Sequence, residues 1–386
     1  MRINIVMGFF LPVPPLGGGA TEKSWHGLAR EFAARGHAVT VLSRRWPGLP
    51  PTGAQEGVQH IRLRGYAHTR FLPVNLWLDL LWSLRVGRAL PQADISIVNC
   101  VALPVWYSRL RGAAGRLVVM PGRMPKGQFR LYRGLDRVLA VSSAMRKAIL
   151  AEDPRLAPLI RISGYPIDCR QLAEPRPPQP AGSPLTIGYV GRIHREKGLD
   201  LMAAALTRLA ARNGLPAWQV MLCGPVDVAR GGSGPGYAAE LRRHLAATLP
   251  AGRFVLREPE FSPERLAAVY RQIDIFCYPS LAVRGETFGV AVAEAMAAGA
   301  APVVSQLGSF TDFVLPDATG VVFDHTAPDA AERLADALAR LLLDSPRRAR
   351  LAAAAQIAVQ KYDYPNFAVR LLDDFSALLP AAPQQS

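Results

Sequence analysis

Short apolar runs, each closed by a turn and followed by a helical pattern, recur along this chain. Residues 3–7 are apolar apart from Asn4 and stop at Gly8. A Pro/Gly-rich loop follows, then apolar residues at helical spacing over 22–35, with Gly36 just past the end, where a helix stop belongs. Residues 38–42 are the next predicted strand. Short, largely apolar strands in a β-loop-α-β order predict a parallel sheet covered by helices on both faces. Further strands are expected at 95–98, 117–120 and 138–141.

Residues 173–184 break the rhythm. They are rich in Pro and otherwise polar, which predicts a linker. The pattern then restarts with a strand at 185–190, Gly191, a basic loop and a helix from Leu199 to about Arg212. Strands are expected again at 220–223, 254–256, 273–278, 302–304 and 321–323. The chain thus reads as α/β, with two Rossmann-like domains facing across a cleft. The boundaries expected are 1–172, the linker 173–184, 185–362, and a C-terminal helix and tail over 363–386 packing back on the first domain. Open parallel sheets bind ligands at the carboxyl ends of their strands, so the chemistry should sit on strand-to-helix loops.

Composition adds a sign and a compartment. The 386 residues hold 45 Lys plus Arg against 30 Asp plus Glu, a net charge of +15. Such an excess suits an anionic partner, although a generally basic surface would give the same number. Cys100, Cys169, Cys223 and Cys277 form no CxxC pair, which points to a reducing compartment without a disulfide or zinc framework. The N-terminus lacks the long apolar region of a signal peptide. Residues 71–84 are apolar but too short to span a bilayer and contain Pro73, Asn75 and Asp79. The expectation is a cytoplasmic protein.

Three motifs fall on the expected loops. Pro14-Pro-Leu-Gly-Gly-Gly-Ala-Thr-Glu22 lies between the first strand and helix. Its glycines let a ligand approach the backbone, and amides at a helix N-terminus favour phosphate; a plain tight turn is the alternative. It is not a G-x-G-x-x-G fingerprint, because the third glycine position is Glu22. Gly191-Arg192-Ile-His-Arg-Glu-Lys197-Gly198 follows the strand 185–190. Arg192 and Lys197 could hold a diphosphate, the one as a fork and the other as a point charge; a solvated basic turn is the alternative. Glu286-Thr-Phe-Gly-Val-Ala-Val-Ala-Glu294 follows the strand 273–278. Its carboxylates suit paired hydroxyls of sugar and ribose. If all eight steps were helical they would stand ~12 Å apart, two ends of one extended ligand. Otherwise Glu294, in an apolar helix, needs an internal Arg as partner. The sequence shows no Asp-x-Asp and no histidine at metal-ligand spacing, so a phosphate leaving group would be neutralised by Arg, Lys and a helix N-terminus.

In combination these residues resemble the large family 4 of retaining glycosyltransferases, which have the GT-B fold. The similarity runs along most of the chain. It takes in 17–19, Ser24-Trp-His-Gly-Leu-Ala-Arg, Arg35-Gly-His-Ala-Val-Thr-Val, Asp136-Arg-Val-Leu-Ala-Val-Ser-Ser, Gly164-Tyr-Pro-Ile-Asp168, the 191–198 loop, E-x7-E, and Ala297-Ala-Gly-Ala-Ala-Pro-Val-Val304. The resemblance implies that Arg192 and Lys197 hold the donor diphosphate and that Glu286 meets the donor sugar. Thr287 belongs to the same donor-binding turn. Phe288, Gly289 and Val290 would line the sugar and phosphate pocket through backbone amides, Glu294 would bind ribose, and Gly18 and Gly19 would face the donor. It implies no cofactor beyond a nucleotide diphosphate-sugar donor, no metal, and retention by front-face attack within a tight ion pair. Many members carry a His after the fourth strand of the first domain. This chain reads Val118-Val-Met-Pro-Gly-Arg123 there, leaving Arg123 or Lys126 as substitutes.

The expected activity is transfer of a hexose or related sugar to a hydroxyl acceptor, glycan or lipid-linked, in surface glycan or glycolipid assembly. A sugar-nucleotide 2-epimerase of the same fold and a non-catalytic sugar-nucleotide-binding protein are the alternatives. No nucleic-acid reading motif is seen, so no nucleic acid is expected. Residues 71–90 are Leu- and Trp-rich with Arg70, Arg85 and Arg88. They read as an ordinary core helix or as an interfacial helix making peripheral membrane contact through Trp77 and Trp82.

Overall fold

The computed structural model describes residues 1–16, 19–175, 180 and 182–380. It divides into two compact units, Met1–Pro166 with Tyr364–Ser386, and Ile167–Asp363. The crossing therefore lies ahead of the Pro-rich stretch 173–184, of which 176–179 and 181 fall outside the described residues. Ile167 N donates to Tyr362 O at 2.9 Å and Cys169 N to the Asp363 carboxylate at 2.9 Å, which ties this segment into the second unit.

Among the described residues the first unit carries an eight-stranded sheet. Its strands are β1 (Arg2–Val6), β2 (Ala38–Arg44), β3 (Thr52–Gln55), β4 (Val58–Leu63), β5 (Ile95–Val98), β6 (Arg116–Val119), β7 (Arg137–Ala140) and β8 (Ile160–Ile162). Their order is β3-β4-β2-β1-β5-β6-β7-β8, and all pairs are parallel except β3 with β4. Strand order reverses between β1 and β5. The apolar pattern does not predict β3, β4 or β8. β3 and β4 form a hairpin whose turn, Glu56-Gly57, has positive φ at both residues (51° and 77°), as a type I′ turn requires. β4 reads Val-Gln-His-Ile-Arg-Leu yet buries His60 and Arg62. The Arg62 guanidinium is satisfied by the carbonyls of Pro50 (3.0 Å) and Val13 (3.3 Å).

The second unit holds β9 (Leu185–Val190), β10 (Trp218–Cys223), β11 (Phe254–Arg257), β12 (Ile275–Tyr278), β13 (Ala301–Ser305) and β14 (Val321–Phe323). They are parallel in the order β11-β10-β9-β12-β13-β14. This is a doubly wound sheet whose order reverses between β9 and β12. β12 and β13 are buried throughout and β9 at all but its first residue, as strands covered on both faces must be. The helix Leu199–Ala210 shows why the helical pattern was legible: Leu199, Met202, Ala203, Leu206 and Leu209 form one buried stripe. Two α/β units with parallel sheets are the fold class the pattern predicts.

The last helix, Tyr364–Ser376, packs within the first unit on the helix Ala20–Ala34. Phe375 meets Phe32 edge-on with ring centroids 6.3 Å apart. Asp374 pairs with Arg137 at 2.8 Å, and Arg370 donates to Ser163 O at 3.3 Å.

The helix Leu72–Ala89 is turned inside out. Its buried residues are Asn75, Asp79, Trp82, Ser83 and Val86. Phe71, Leu72, Val74, Leu76, Trp77 and Leu84 are exposed, Trp77 by 60%. Asp79 accepts from the amides of Val101 and Ala102 at 3.0 and 2.6 Å, and burial pushes its carboxyl up to about 6. Trp82 donates to Met7 O at 3.0 Å and belongs to the core, so only Trp77 of the two tryptophans is available to a membrane. Arg85 is likewise engaged, with Arg64 O at 2.7 Å and the Tyr66 ring. Among the described residues no helix is long and apolar enough to cross a membrane. The four cysteines are buried, unpaired thiols.

Burial, reinforced by Arg62 and His26, pushes His60 down to about 4. The fold therefore prefers neutral imidazole. Its contribution is complete above the ordinary value of 6.5 and is lost as pH falls from 6.5 towards 4. The loss should reach about 3 kcal/mol. Urea unfolding of wild type and His60→Leu at pH 7 and pH 4 checks this; equal pH dependence in the two would contradict it.

Candidate active site

The carboxyl ends of β9 and β12 are neighbours where the second sheet reverses, and each feeds one of the loops singled out by the sequence. After β9 the chain turns through Arg195–Lys197, a 3-10 turn capped by His194, whose Nδ1 accepts from Glu196 N at 3.2 Å. After β12 it passes Ser280 and reaches the helix Val290–Ala297. The loops are stitched together. Leu281 N donates to Glu196 O at 2.9 Å. Gly198 has φ +70° and lies so close to the Pro279 carbonyl that any Cβ would overlap it, so this position requires glycine.

That approach brings Lys197 and Glu286 into contact. Lys197 Nζ donates to Glu286 Oε2 at 2.7 Å, and both residues are buried. Ser280 Oγ donates to the same oxygen at 3.4 Å. The ammonium also sits over the face of Tyr278, 5.5 Å from its centroid. Tyr278 is stacked between Tyr189 and Phe276, with centroids 5.4 and 5.8 Å away. Burial first, then the charge of Glu286, pushes the Tyr189 and Tyr278 hydroxyls well above the usual range. Tyr189 uses its proton to hold the Arg192 carbonyl at 2.8 Å.

Arg192 is half exposed. Its guanidinium reaches Glu196 Oε1 at 2.5 Å and Gly231 O at 3.0 Å. It shares a loop with Lys197 but makes no hydrogen bond or ion pair with Glu286 among the described residues. Glu294 accepts from the hydroxyl of the buried Tyr270 at 2.8 Å. Burial, and next the Glu294 charge, keep that hydroxyl protonated.

The eight steps from Glu286 to Glu294 are not all helical. The helix begins at Val290, capped by Gly289, and Glu286 and Thr287 stand ahead of it in the turn. The ~12 Å separation expected of a continuous helix therefore does not apply. Phe288 packs its ring on Phe313 and Tyr362, at 4.8 and 5.1 Å. This turn accordingly offers a ligand its main chain rather than that ring. The first amides of Val290–Ala297 have no carbonyl upstream in the helix, which makes its N-terminus attractive to an anion.

The remaining candidates lie in the first unit. Gly18 falls outside the described residues, and Gly19 is exposed at the start of the helix Ala20–Ala34. Arg123 and Lys126 are exposed on the loop after β6 and make no ion pair among the described residues. Glu152 holds that loop by accepting from the amides of Gly127 and Phe129. Among the described residues no three His, Cys, Asp or Glu side chains gather as metal ligands.

Comparison with known proteins places this arrangement. Residues 172–357 match the family described as Glycosyl transferases group 1, and residues 17–156 match Glycosyltransferase Family 4. A phosphatidyl-myo-inositol mannosyltransferase of Mycobacterium tuberculosis is 30% identical over 405 residues, covering 96% of each chain. The chain belongs to the group 1 glycosyl transferases. A D-inositol 3-phosphate glycosyltransferase of Xylanimonas cellulosilytica is 30% identical over 299 residues, 72% of this chain. The match spans 66% of that protein, just under two thirds. In fold, a glycosyltransferase from Rickettsia africae superposes with a TM-score of 0.72 at 17% identity, covering 99% of this chain and 100% of that one.

Within this group 1 glycosyl transferase, the motif residues were visible in the sequence but their supports were not. Ser280, Tyr278, Tyr189 and Tyr270 hold Glu286, Lys197, Arg192 and Glu294 in place. The sequence signal they left was an aromatic-rich strand, Ile275–Tyr278, ending in Pro279-Ser280 ahead of E-x7-E. The buried pair makes a testable demand. Lys197→Met should lower stability by about 3 kcal/mol, because Glu286 is left buried without its counter-charge. Adding Glu286→Leu should recover most of the loss in urea unfolding. A double variant no more stable than the single would contradict this account.

Proposed function

We propose that this protein is a retaining glycosyltransferase that moves a hexose from a nucleotide diphosphate-sugar to a hydroxyl acceptor without a resident metal. The observation that carries the reading is the buried Lys197–Glu286 pair at the point where the second sheet reverses, just ahead of a helix N-terminus. A cation, a carboxylate and free amides on adjoining loops suit a ligand that is anionic at its centre and hydroxylated at its ends.

In this reading Arg192 and Lys197 neutralise the diphosphate, with the amides around Gly289 and Val290 sharing its charge. Glu286 accepts from hydroxyls of the donor sugar. Glu294, oriented by Tyr270, accepts from the ribose. As the bond from the anomeric carbon to the diphosphate breaks and the nucleoside diphosphate leaves, its freed phosphate oxygen takes the acceptor hydroxyl's proton and the acceptor oxygen bonds to that carbon on the same face, which retains configuration. The curated relatives are described as acting on D-inositol 3-phosphate and on phosphatidyl-myo-inositol. A polyhydroxylated acceptor, free or lipid-linked, is therefore proposed here, in glycan or glycolipid assembly.

We also propose peripheral contact with the inner face of a membrane through the outward face of the helix Leu72–Ala89. Phe71, Leu72, Leu76 and Trp77 would enter the interface beside the exposed Arg70 and Arg88. The buried, unpaired thiols suit the reducing side of that membrane.

Two outcomes are expected. In a thermal-shift screen of UDP-, GDP-, ADP- and dTDP-sugars, one donor at a hundred times its Kd should stabilise wild type by about 2.7 kcal/mol. Glu294→Ala should lose most of that gain, and full stabilisation of the variant would break the ribose assignment. Vesicles containing anionic lipid should bind wild type, and Leu76→Ser with Trp77→Ser should weaken binding by roughly tenfold. Absence of wild-type binding would remove the membrane proposal.

A further inference from the structure

A cavity of about 400 Å³ opens in the second unit beside β14, the edge strand of its sheet. That volume is in the range that holds a small ligand. None of the residues lining it belongs to the loops after β9 and β12 that carry Arg192, Lys197 and Glu286. β14 contributes apolar side chains, and the helix Ala330–Leu343 contributes Arg333, Asp336 and Arg340. These three recur at helical spacing and so share one face of the helix.

The charges around the cavity cancel. Arg347 pairs with Asp317, and Arg333 with Asp329 at 2.7 Å. Asp336 takes Arg212, from outside the lining, at 2.7 Å. Arg212 also meets Glu332, which Arg208 reaches in turn at 3.2 Å. Asp324 accepts from the amide and the hydroxyl of Thr326 at 2.8 and 2.6 Å. Each carboxylate of the lining thus has a donor, but the arginines keep N–H groups in hand. Arg340 is exposed, and its side chain makes no hydrogen bond or ion pair among the described residues. The Nε of Arg347 is buried and finds no acceptor among them, a donor that the fold itself leaves unused.

We propose that this cavity binds a neutral saccharide. An anion would leave water for a place with four carboxylates and one unmatched guanidinium, and a cation would meet the arginines. A hydroxyl is donor and acceptor at once, so it can give its proton to a carboxylate while it accepts from a guanidinium. Carboxylates and planar guanidinium forks side by side suit neighbouring hydroxyls of a sugar ring, and the apolar side chains of β14 suit its C–H faces. No bond is made or broken here. The cavity holds a sugar by its hydroxyls, separately from the loops that carry the donor reading.

The experiment is isothermal titration of the full chain, without nucleotide, using methyl α-D-mannoside, maltose, glucose and glucose 6-phosphate. Wild type should bind at least one of the neutral sugars with a Kd of about 1 mM or tighter. Arg340→Met should weaken that binding by roughly tenfold, with Tm unchanged because the side chain is exposed and unpaired. Arg192→Gln should leave it within about twofold, which separates the cavity from the donor loops. Absence of wild-type binding at about 10 mM sugar overturns the proposal, and so does full affinity in Arg340→Met. Glucose 6-phosphate bound about tenfold tighter than glucose by wild type, but not by Arg340→Met, also overturns it, because the cavity is then an anion site. If Arg340→Met loses Tm, Arg333→Met decides: weaker sugar binding at level Tm supports the proposal, and unchanged binding ends it. With no nucleotide present, none of these outcomes bears on the donor reading.

Discussion

The constraint on which the second unit's chemistry depends is the reversal of its sheet. β9 and β12 are adjacent and parallel but far apart in sequence, so loops rooted in different parts of the chain emerge side by side. Those loops close on one another at Gly198 and Pro279, and the closure drives Lys197 and Glu286 together under cover. Neither charge is comfortable there alone. Each is acceptable because the other is present, with Ser280 and the face of Tyr278 completing the shell. A diphosphate sugar would meet a site already neutral within itself. Its phosphates would compete with Glu286 for the ammonium, while its hydroxyls would take up the carboxylate.

Most of this was legible in the sequence because it is written in periodicity and spacing. β9, β12 and β13 are apolar runs followed by turns, and the helix Leu199–Ala210 carries a clean buried stripe. Where polar residues serve a strand, legibility fails. β4 hides because His60 and Arg62 read as surface, yet Arg62 is satisfied by carbonyls from distant loops. The motif residues Arg192, Lys197, Glu286 and Glu294 could be picked out by type and position. Their tyrosine and serine supports could not, because a strand aromatic looks the same whether it fills the core or holds a neighbour's carboxylate. Glu286 stands ahead of the helix and Glu294 within it for a local reason: Gly289 starts the helix, and the residues before it are turn.

The first unit departs from ordinary patterning in its helices as well as in β4. The helix Leu72–Ala89 buries Asn75, Asp79 and Ser83 while showing solvent its Leu and Trp face. Its inner residues are satisfied by local bonds such as those from Asp79 to the amides of Val101 and Ala102. The polar interior of that helix is thus complete by the ordinary rule that buried polar groups find partners, and what is unusual is the apolar face it leaves outside.

The return of the last helix to the first unit bears on how the protein is made. Phe32, Arg137 and Ser163 are synthesised early, whereas Phe375, Asp374 and Arg370, which cover or pair them, leave the ribosome only after the whole second unit. The first unit must wait, with one flank of its opening helix uncovered, while nearly two hundred residues of another fold are built. Vectorial synthesis, which lets most domains close in order of appearance, here finishes the second unit before the first. The nascent chain therefore has a long interval in which an apolar flank and a buried arginine are open to chaperones or to neighbouring chains.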